Sequence, residues 1–303
     1  MSIPDFQSFF KPLLDIAADG KEHSLQEARE RIAVDFGLSK EDISELLPSG
    51  TQRKFDNRIA WAKSYFIYAK VLESPKRAHF RITQRGLDLH KEGNDRIDVK
   101  ILNRYPEFVE FHHPSGHDKN SQKGTILDVF PETPEETLQT AYQNIRNDLA
   151  GEILERIKAN SPRFFERLVV DLMVAMGYGG SRSDAGQSIG QSGDEGIDGI
   201  IKEDRLGLDL IYLQAKRWEG TVGRPEVQKF VGALHGKRAR KGVFITTGRF
   251  SEEAISYVKS IDPKVVLIDG WTLANYLIDF NLGTSTSVTY EIKKVDSDYF
   301  LEE

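Results

Sequence analysis

Three polar side chains on two short apolar segments could meet around a divalent cation. The first segment, Ile197–Ile201, is β-branched, lies between glycines and carries Asp198. The second, Leu210–Lys216, alternates apolar and polar residues, which predicts a strand with Gln214 and Lys216 on one face. If the two strands are neighbours, Asp198 lies within reach of both side chains. Carboxylate and amide oxygens are hard ligands for Mg²⁺, and an ammonium can hold a water or a phosphate, so the group suits phosphodiester hydrolysis.

Each of these residues also has a purely structural explanation. The glycines at 193, 196 and 199 could serve a tight hairpin. Asp198 could cap a turn, and Lys216 could extend from a strand edge into solvent. The spacing alone therefore leaves the chemistry of the site open.

Composition limits the classes of protein that the chain can belong to. A length of 303 residues predicts two domains. The chain has no cysteine, which excludes disulfides, thiolate zinc sites and cysteine nucleophiles and favours the reducing cytoplasm. The first residues show no secretory signal, and no apolar run is long enough to span a membrane. The net charge of -6 argues only weakly against nucleic acid, because the distribution of charge matters more than its sum.

The first 92 residues have the element order of a small DNA-binding domain. Apolar spacings of three and four, together with Ser and Thr caps, predict helices at 6–18, 25–36, 40–47, 54–72 and 84–91. A basic turn at Pro75–Arg77 and an alternating segment at 78–83 precede the last of them. This order matches a winged helix-turn-helix, in which the third helix enters the major groove. We therefore expect a winged-helix DNA-binding domain at 1–92.

A local excess of positive charge falls on the helix predicted at 54–72 and on the turn of this domain. Between Thr51 and Arg85 nine basic and two acidic residues give a net charge of +7. Such clustering is typical of a phosphate-binding surface, although a solvated helix face is the common alternative. The predicted DNA-binding residues are Arg53, Lys54, Arg58, Lys63, Lys76, Arg77 and Arg81.

The second half alternates strands and helices. Residues 93–134 are predicted to form a linker, and Thr133 is predicted to cap a long helix that begins at Pro134 and ends near Ala159. Further helices are predicted at 163–176, 225–234 and 271–280, and strands at 197–201, 210–216, 242–247 and 264–268. This order indicates an α/β domain with a mixed central sheet, so residues 135–303 should hold a connector helix and a catalytic domain.

The sequence of the second half also resembles a known family. Five segments in order closely resemble the Mrr family of type IV restriction endonucleases, which belong to the PD-(D/E)xK nuclease superfamily. They are Phe164–Glu166, Met176–Tyr178, Gly193–Gly199, Gln214–Lys216 and Val243–Thr247. The N-terminal half resembles the winged-helix domain that this family places before its nuclease. The ordered set is specific, whereas Gln214 and Lys216 alone would be a weak signal.

The resemblance implies a role for each site residue. Asp198 would be the principal metal ligand, with Gln214 in the position that is an acid in most of the superfamily. Lys216 would orient or activate the attacking water and offset charge on the phosphate. Glu166, which could also be a solvated helix residue, would hold the metal or its water from the other side. Asp194 is expected to stabilise the loop and not to bind the metal. Because Gln214 is neutral, the site offers Mg²⁺ one negative charge less than usual.

The resemblance also implies the activity: Mg²⁺-dependent cleavage of double-stranded DNA that carries methylated bases, with Mn²⁺ as a substitute ion. Both strands must be cut and one chain holds one site, so we expect a homodimer or a higher homo-oligomer. The alternatives are a structure-specific nuclease, such as a junction resolvase-like enzyme, and a DNA-binding sensor with an inactive nuclease core. The intact set of Asp198, Gln214 and Lys216 disfavours the sensor.

Aromatic residues on the helix predicted at 54–72 could in principle form a pocket for a methylated base. Trp61, Tyr65, Phe66 and Tyr68 are the candidates. Their spacing is helical, so the sequence favours ordinary core packing instead.

Overall fold

A computed structural model describes residues 2–112, 132–179, 196–204, 206–293 and 295. These residues form two compact units, one of residues up to Gln143 and the other of Asn144–Lys293. The helix Pro134–Ala159 contributes residues to both. Each unit has its own buried apolar core, as a length of 303 residues predicts.

The N-terminal unit is mainly helical. A 3₁₀ turn at Phe6–Phe9 leads into the first helix. The helices are α1 (Phe10–Ala17), α2 (Leu25–Asp35), α3 (Lys40–Ser44), α4 (Lys54–Tyr68), α5 (Gln84–Lys91), α6 (Val99–Leu102) and α7 (Pro106–His112). The strands are β1 (His23–Ser24), β2 (Leu72–Glu73) and β3 (His79–Ile82). They form an antiparallel sheet in the order β1-β3-β2, with the 74–78 turn between the last two.

The local signals for helix ends in this unit are confirmed at α2 and α5. Ser24 caps α2 in a reciprocal box with Glu27, and Thr83 caps α5 by accepting a bond from the Gly86 amide at 3.2 Å. The third long helix is shorter than predicted. It ends at Tyr68, and Lys70 then adopts a φ of 54° that turns the chain into β2.

The N-terminal core is built from aromatic rings of the 3₁₀ turn, α1 and α4. Phe6, Phe10 and Tyr65 meet at ring centroid distances between 5.3 and 6.1 Å. The same core includes Val99 and Phe108, which lie on α6 and α7. Residues 93–112 of the predicted linker therefore contain two short helices and belong to the N-terminal unit.

The C-terminal unit is an α/β domain. Its helices are α8 (Pro134–Ala159), which begins in the N-terminal unit, α9 (Pro162–Ala175), α10 (Arg224–Gly236), α11 (Glu252–Lys259) and α12 (Gly270–Asp279). Its strands are β4 (Gly199–Lys202), β5 (Leu210–Lys216), β6 (Thr221–Val222), β7 (Lys241–Thr246), β8 (Arg249–Phe250) and β9 (Lys264–Ile268).

The central sheet is mixed and lies between two helical layers. Its order is β4-β5-β7-β9, with β4 antiparallel to β5 and the other neighbours parallel. Ile211 and Leu213 of β5 pack on one side with α9 and α12, while Tyr212 packs on the other side with α10. Because the strand alternates, Gln214 and Lys216 share the α10 side with Tyr212. The parallel strands β5, β7 and β9 end at one edge of the sheet, which we call the carboxyl edge.

Among the described helices, none combines the length and the apolar character that crossing a lipid bilayer requires.

Candidate active site

The pairing of β4 with β5 brings Asp198 next to the polar face of β5. Gly199 is opposite Leu213 in the antiparallel register, and the Asp198 amide donates to the Leu213 carbonyl at 2.8 Å. The carboxylate therefore enters the sheet beside Gln214, the next residue of β5. This is the neighbouring arrangement that the two apolar segments of the sequence require.

The Asp198 carboxylate is held by two donors from β5. Its Oδ2 accepts a bond from Gln214 Nε2 and another from the Ala215 amide at 2.7 Å. Gln214 uses its nitrogen on Asp198, so its Oε1 stays free of that bond and faces Gly196. A Cβ at Gly196 would lie 3.2 Å from this Oε1, and the φ of +100° at Gly196 also favours glycine.

Lys216 lies on the same face but bonds elsewhere. Its Nζ pairs with the Glu226 carboxylate, in the first turn of α10. The same Nζ lies 4.3 Å from the ring centroid of Trp218, a cation–π distance. Lys216 is also close enough to Asp198 for its charge to lower the pKa of that carboxyl. The lysine is therefore fixed beside the carboxylate without bonding to it.

Two carboxyl groups of the site have raised pKa values. Burial raises the pKa of Asp198, against the opposing effects of the Ala215 amide, the Gln214 amide and the Lys216 charge. Burial also raises the pKa of Glu166, on α9, and the Asp198 charge raises it further. Glu166 and Asp198 therefore repel each other in a partly desolvated place. A cation between them would relieve that repulsion.

The donors present fit a hard divalent cation. Two carboxylates and the Gln214 Oε1 are oxygen ligands of the kind that Mg²⁺ prefers. Among the described residues no group of three or more His, Asp or Glu could hold a metal, so the amide oxygen and solvent must complete the ligand set. Asp194, expected to support the loop, lies outside the described residues.

Glu226 was missed by the sequence interpretation. Its partner Lys216 is ten residues earlier, and only the packing of α10 on the sheet brings the two together. A weak signal was present, because Pro225 marks a helix start and places Glu226 in the first turn. The ion pairs with Lys216 and Lys229 lower the pKa of Glu226, so it carries its negative charge at neutral pH.

The loops at the carboxyl edge are tightly interlocked. The Trp218 amide donates to Thr247 Oγ1 at 2.9 Å, and that hydroxyl donates back to the Trp218 carbonyl at 2.9 Å. A Cβ at Gly248 would lie 2.1 Å from the Gly220 carbonyl oxygen, so only glycine fits there. This contact fixes the backbone that carries Trp218 beside Lys216.

Arg217 has a structural role. Its guanidinium donates to the carbonyls of Lys158 and Asn160 at the end of α8, at 2.7 Å for Lys158. The basic residues 237–241 lie at the other end of β7, and Lys241 there is paired with Glu203 and Asp209.

The structure contradicts the prediction that Arg58 contacts DNA. It is 7% exposed and donates to Glu136 and to the carbonyls of Ile3 and Pro4, at 2.7 Å and 2.6 Å. Glu136 is 78 positions further along the chain, so no local charge count could include it. Arg58 is buried as half of an ion pair and cannot contact DNA from this position.

The other predicted cations of this domain are more accessible, but several are paired. Arg53 pairs with Asp56, Lys54 with Glu45, Lys76 with Glu22 and Arg81 with Glu73. Arg77 is exposed. Glu22, Glu45 and Glu136 lie outside the 51–85 window, so the local excess of positive charge is smaller than the sequence count of +7.

Lys63 is the predicted cation that best keeps the properties of a phosphate contact. It lies half-buried on α4, where burial lowers its pKa and the neighbouring charge of Arg29 lowers it further. A partly desolvated ammonium would be stabilised by an anion. Every residue of α4 is nevertheless buried or half-buried, so this helix presents less free surface than a major-groove helix was expected to offer.

The aromatic residues of α4 are packed, as the sequence favoured. Tyr65 and Phe66 are fully buried in the N-terminal core. Tyr68 stacks on Phe111 with 3.6 Å between ring centroids. The Trp61 indole donates to Glu135. The core interpretation of these aromatic residues is therefore confirmed.

The chain matches two family models. The Mrr N-terminal domain model matches residues 6–92, and the Mrr catalytic model, described as a restriction endonuclease, matches residues 157–277. A curated relative from Escherichia coli strain K12, named type IV methyl-directed restriction enzyme EcoKMrr, is 34% identical over 314 residues. That alignment covers 99% of this chain and 100% of the relative.

Two solved structures show weaker likeness. The DNA modification-dependent restriction endonuclease AspBHI has a TM-score of 0.34 at 17% identity, over 70% of this chain and 56% of that enzyme. The MspJI restriction endonuclease, in complex with a 27-mer oligonucleotide, has a TM-score of 0.26 at 20% identity, over 66% of this chain and 47% of that enzyme. The chain spans about half the length of these two enzymes.

The full-length relative and the catalytic match define the class of the protein as a restriction endonuclease, an enzyme that cuts DNA. More closely, the chain belongs to the Mrr family of restriction endonucleases. The N-terminal unit contains the Mrr N-terminal domain, and the mixed sheet lies within the residues that the catalytic model matches.

Proposed function

We propose that this chain is a Mg²⁺-dependent endonuclease that hydrolyses phosphodiester bonds in double-stranded DNA carrying methylated bases. The observation that carries the proposal is the meeting of Asp198, Gln214 and Lys216 on one face of β5. The preference for methylated DNA rests on the E. coli relative, whose name describes it as methyl-directed.

The site residues take distinct roles in this proposal. Asp198, Glu166 and the Gln214 Oε1 hold the cation, with Asp198 as the principal ligand because two donors already orient it. When bound, Mg²⁺ or Mn²⁺ lowers the pKa of a water and stabilises the charge on the leaving oxygen. Lys216 holds the attacking water or a phosphate oxygen and offsets the negative charge there. Asp194 keeps its expected role in supporting the loop before β4.

The N-terminal unit is proposed to grip DNA as a winged helix. The element order, the β1-β3-β2 sheet and the 74–78 turn between β2 and β3 support this assignment. The phosphate contacts are proposed to come from the accessible cations of α4 and its N-cap, of the 74–78 turn and of β3. They are Arg53, Lys54, Lys63, Lys76, Arg77 and Arg81, without Arg58.

The test of the proposed function is a cleavage assay with methylated plasmid, unmethylated plasmid and a branched DNA substrate. Methylated plasmid should be cut with Mg²⁺ or Mn²⁺ and left intact with a chelator, because the carboxylates need the cation to act on phosphate. Unmethylated plasmid should be cut at least about tenfold more slowly, as expected if recognition of the methyl group contributes about 1.4 kcal/mol or more. Gel analysis of the products over time gives the rates.

Three outcomes would contradict this proposal. Equal cleavage of both plasmids would remove the methyl preference. Faster cleavage of a branched DNA substrate would identify a structure-specific nuclease. Binding of all substrates without cleavage under any metal would identify a sensor.

Double-strand cleavage by one site per chain also requires more than one copy. We propose that the enzyme acts as a homodimer, or a multiple of it, in the cytoplasm. A chain without cysteine fits that reducing compartment. Helix α8 exposes Leu138, Tyr142 and Ile145 at spacings of four and three, which supports a contact between copies along this helix. Light scattering should give a mass of at least twice 34.3 kDa in the presence of DNA. A monomer mass with and without DNA would exclude this assembly.

A further inference from the structure

Lys216 is the member of the site whose position depends on a residue outside the set that the sequence singled out. The lysine side chain is a flexible chain of four carbons, and an ammonium free in solvent would sample many positions. Here its Nζ contacts two groups at once, the Glu226 carboxylate and the face of the Trp218 ring. These contacts define where the positive charge lies relative to Asp198.

Glu226 is itself held at both oxygens. Oε2 pairs with Lys216, and Oε1 accepts a bond from Lys229 at 2.9 Å, one turn further along α10. The residue lies in the first turn of that helix, where the positive end of the helix dipole favours a carboxylate. Its amide bonds to the Gly223 carbonyl at 3.1 Å, and α10 packs on the sheet through Val227 and Phe230. The carboxylate is therefore a fixed anion on a rigid element.

We propose that Glu226 is a positioning residue, which holds the Lys216 ammonium at the place where the phosphate is to bind. The inference rests on the proposed function of Lys216. Because Gln214 is neutral, the polar face of β5 offers no anion of its own to hold this lysine. Asp198 is already engaged by Gln214 and Ala215, and Glu226 supplies the missing anion from the neighbouring helix.

The test compares two similar ion pairs of the same unit. Lys216 and Glu226 have side chains 25% and 28% exposed, and Lys241 and Glu203 have side chains 33% and 35% exposed. Lys241 is the first residue of β7, and Thr246, which pairs with Lys216, is the last. The two lysines therefore lie at opposite ends of the sheet, about 16 Å apart along the strand. Glu203→Gln is therefore the control for Glu226→Gln.

In the full-length protein, Glu226→Gln should lower the single-turnover cleavage rate at saturating enzyme by on the order of 10²-fold, since a misplaced catalytic group costs about that much. The Kd for DNA should change by less than about twofold, because a single ion pair at this exposure adds little to binding or folding. Glu226→Asp, which keeps the charge but withdraws it by one carbon, should give an intermediate rate. Glu203→Gln should cut like the wild type.

A second readout needs no metal and no cleavage. Limited labelling of amines followed by mass spectrometry measures how freely each lysine reacts in the apo protein. Lys216 should react several times faster in Glu226→Gln than in the wild type, because its ion pair is gone, and should be unchanged in Glu203→Gln.

Two results would overturn the inference. One is a wild-type cleavage rate in both Glu226 variants. The other is loss of cleavage with unchanged Lys216 labelling, which would mean that Glu226 acts by another route. Lys216→Ala separates this inference from the proposed function. If Lys216→Ala still cuts, the proposed function of the lysine fails. If Lys216→Ala is inactive and Glu226→Gln cuts normally, only the positioning inference fails.

Discussion

Asp198→Asn is expected to abolish cleavage, with a single-turnover rate lowered roughly 10³-fold or more. The substitution keeps the shape of the side chain and an oxygen that can accept the Ala215 bond. It removes the charge that is proposed to hold the cation and leaves Glu166 as the one carboxylate of the proposed ligand set. DNA affinity in the absence of metal should stay within about twofold of the wild-type value, since phosphate contacts from elsewhere dominate binding.

A carboxylate outside the site provides the matched control. Asp204 accepts bonds from the Leu206 and Gly207 amides at 2.7 and 2.8 Å, as Asp198 does from Ala215, but it lies in the loop after β4. Asp204→Asn should cut DNA normally. Calorimetric titration with Mg²⁺ should show weaker ion binding for Asp198→Asn and not for Asp204→Asn. Normal cleavage by Asp198→Asn would refute the assignment of the metal ligand.

Arg58→Ala is expected to destabilise the N-terminal unit by about 3 kcal/mol or more, because it leaves Glu136 as a buried charge without its partner. The carbonyls of Ile3 and Pro4 also lose their donor. Hydrogen exchange in the full-length chain reports this locally, and the amides of α4 should exchange roughly a hundredfold faster or more. A combined Arg58→Met and Glu136→Gln variant should regain part of the loss, since no buried charge remains.

Lys63→Ala, on the same helix, is the contrasting substitution. It should leave the exchange of α4 nearly unchanged and should weaken DNA binding similarly on methylated and unmethylated DNA. The slope of log K against log salt should fall by about one for the lost phosphate contact. If Lys63→Ala binds DNA normally, the proposed phosphate surface is misplaced. If Arg58→Ala leaves exchange unchanged, the buried pair does not stabilise this unit.

Features encoded locally in the sequence were predicted well. The alternation of Leu210–Lys216 predicts both β5 and the common face of Gln214 and Lys216, because side-chain direction in a strand has a period of two. The start of α5 follows from Thr83, a cap that acts over three residues. In the same way, Pro134 marks the start of α8. Such signals depend on neighbouring residues alone, so one sequence contains them.

The features that the sequence did not predict depend on contacts between residues that are not neighbours in the chain. Arg58 was assigned to DNA because its anionic partner comes from a distant part of the chain, the first turn of α8. Glu226 was overlooked because the packing of a helix on a sheet, and no short spacing, brings it to Lys216. The sequence predicts a linker at α6 and α7 because each helix is short, and burial of Val99 and Phe108 stabilises these helices more than their own propensity.

The bond from Gln214 to Asp198 has a consequence for how the enzyme responds to its ion. A glutamate in that position could not donate a proton at neutral pH and would push Asp198 away until a cation came between them. An amide can donate to Asp198 and so holds the side chains of the active site in place before an ion binds. The affinity for the ion is lower in return, because one negative charge is absent. The active site of such an enzyme is preorganised before the ion binds. The cleavage rate should therefore follow the free ion concentration, without a lag for rearrangement when the ion is added.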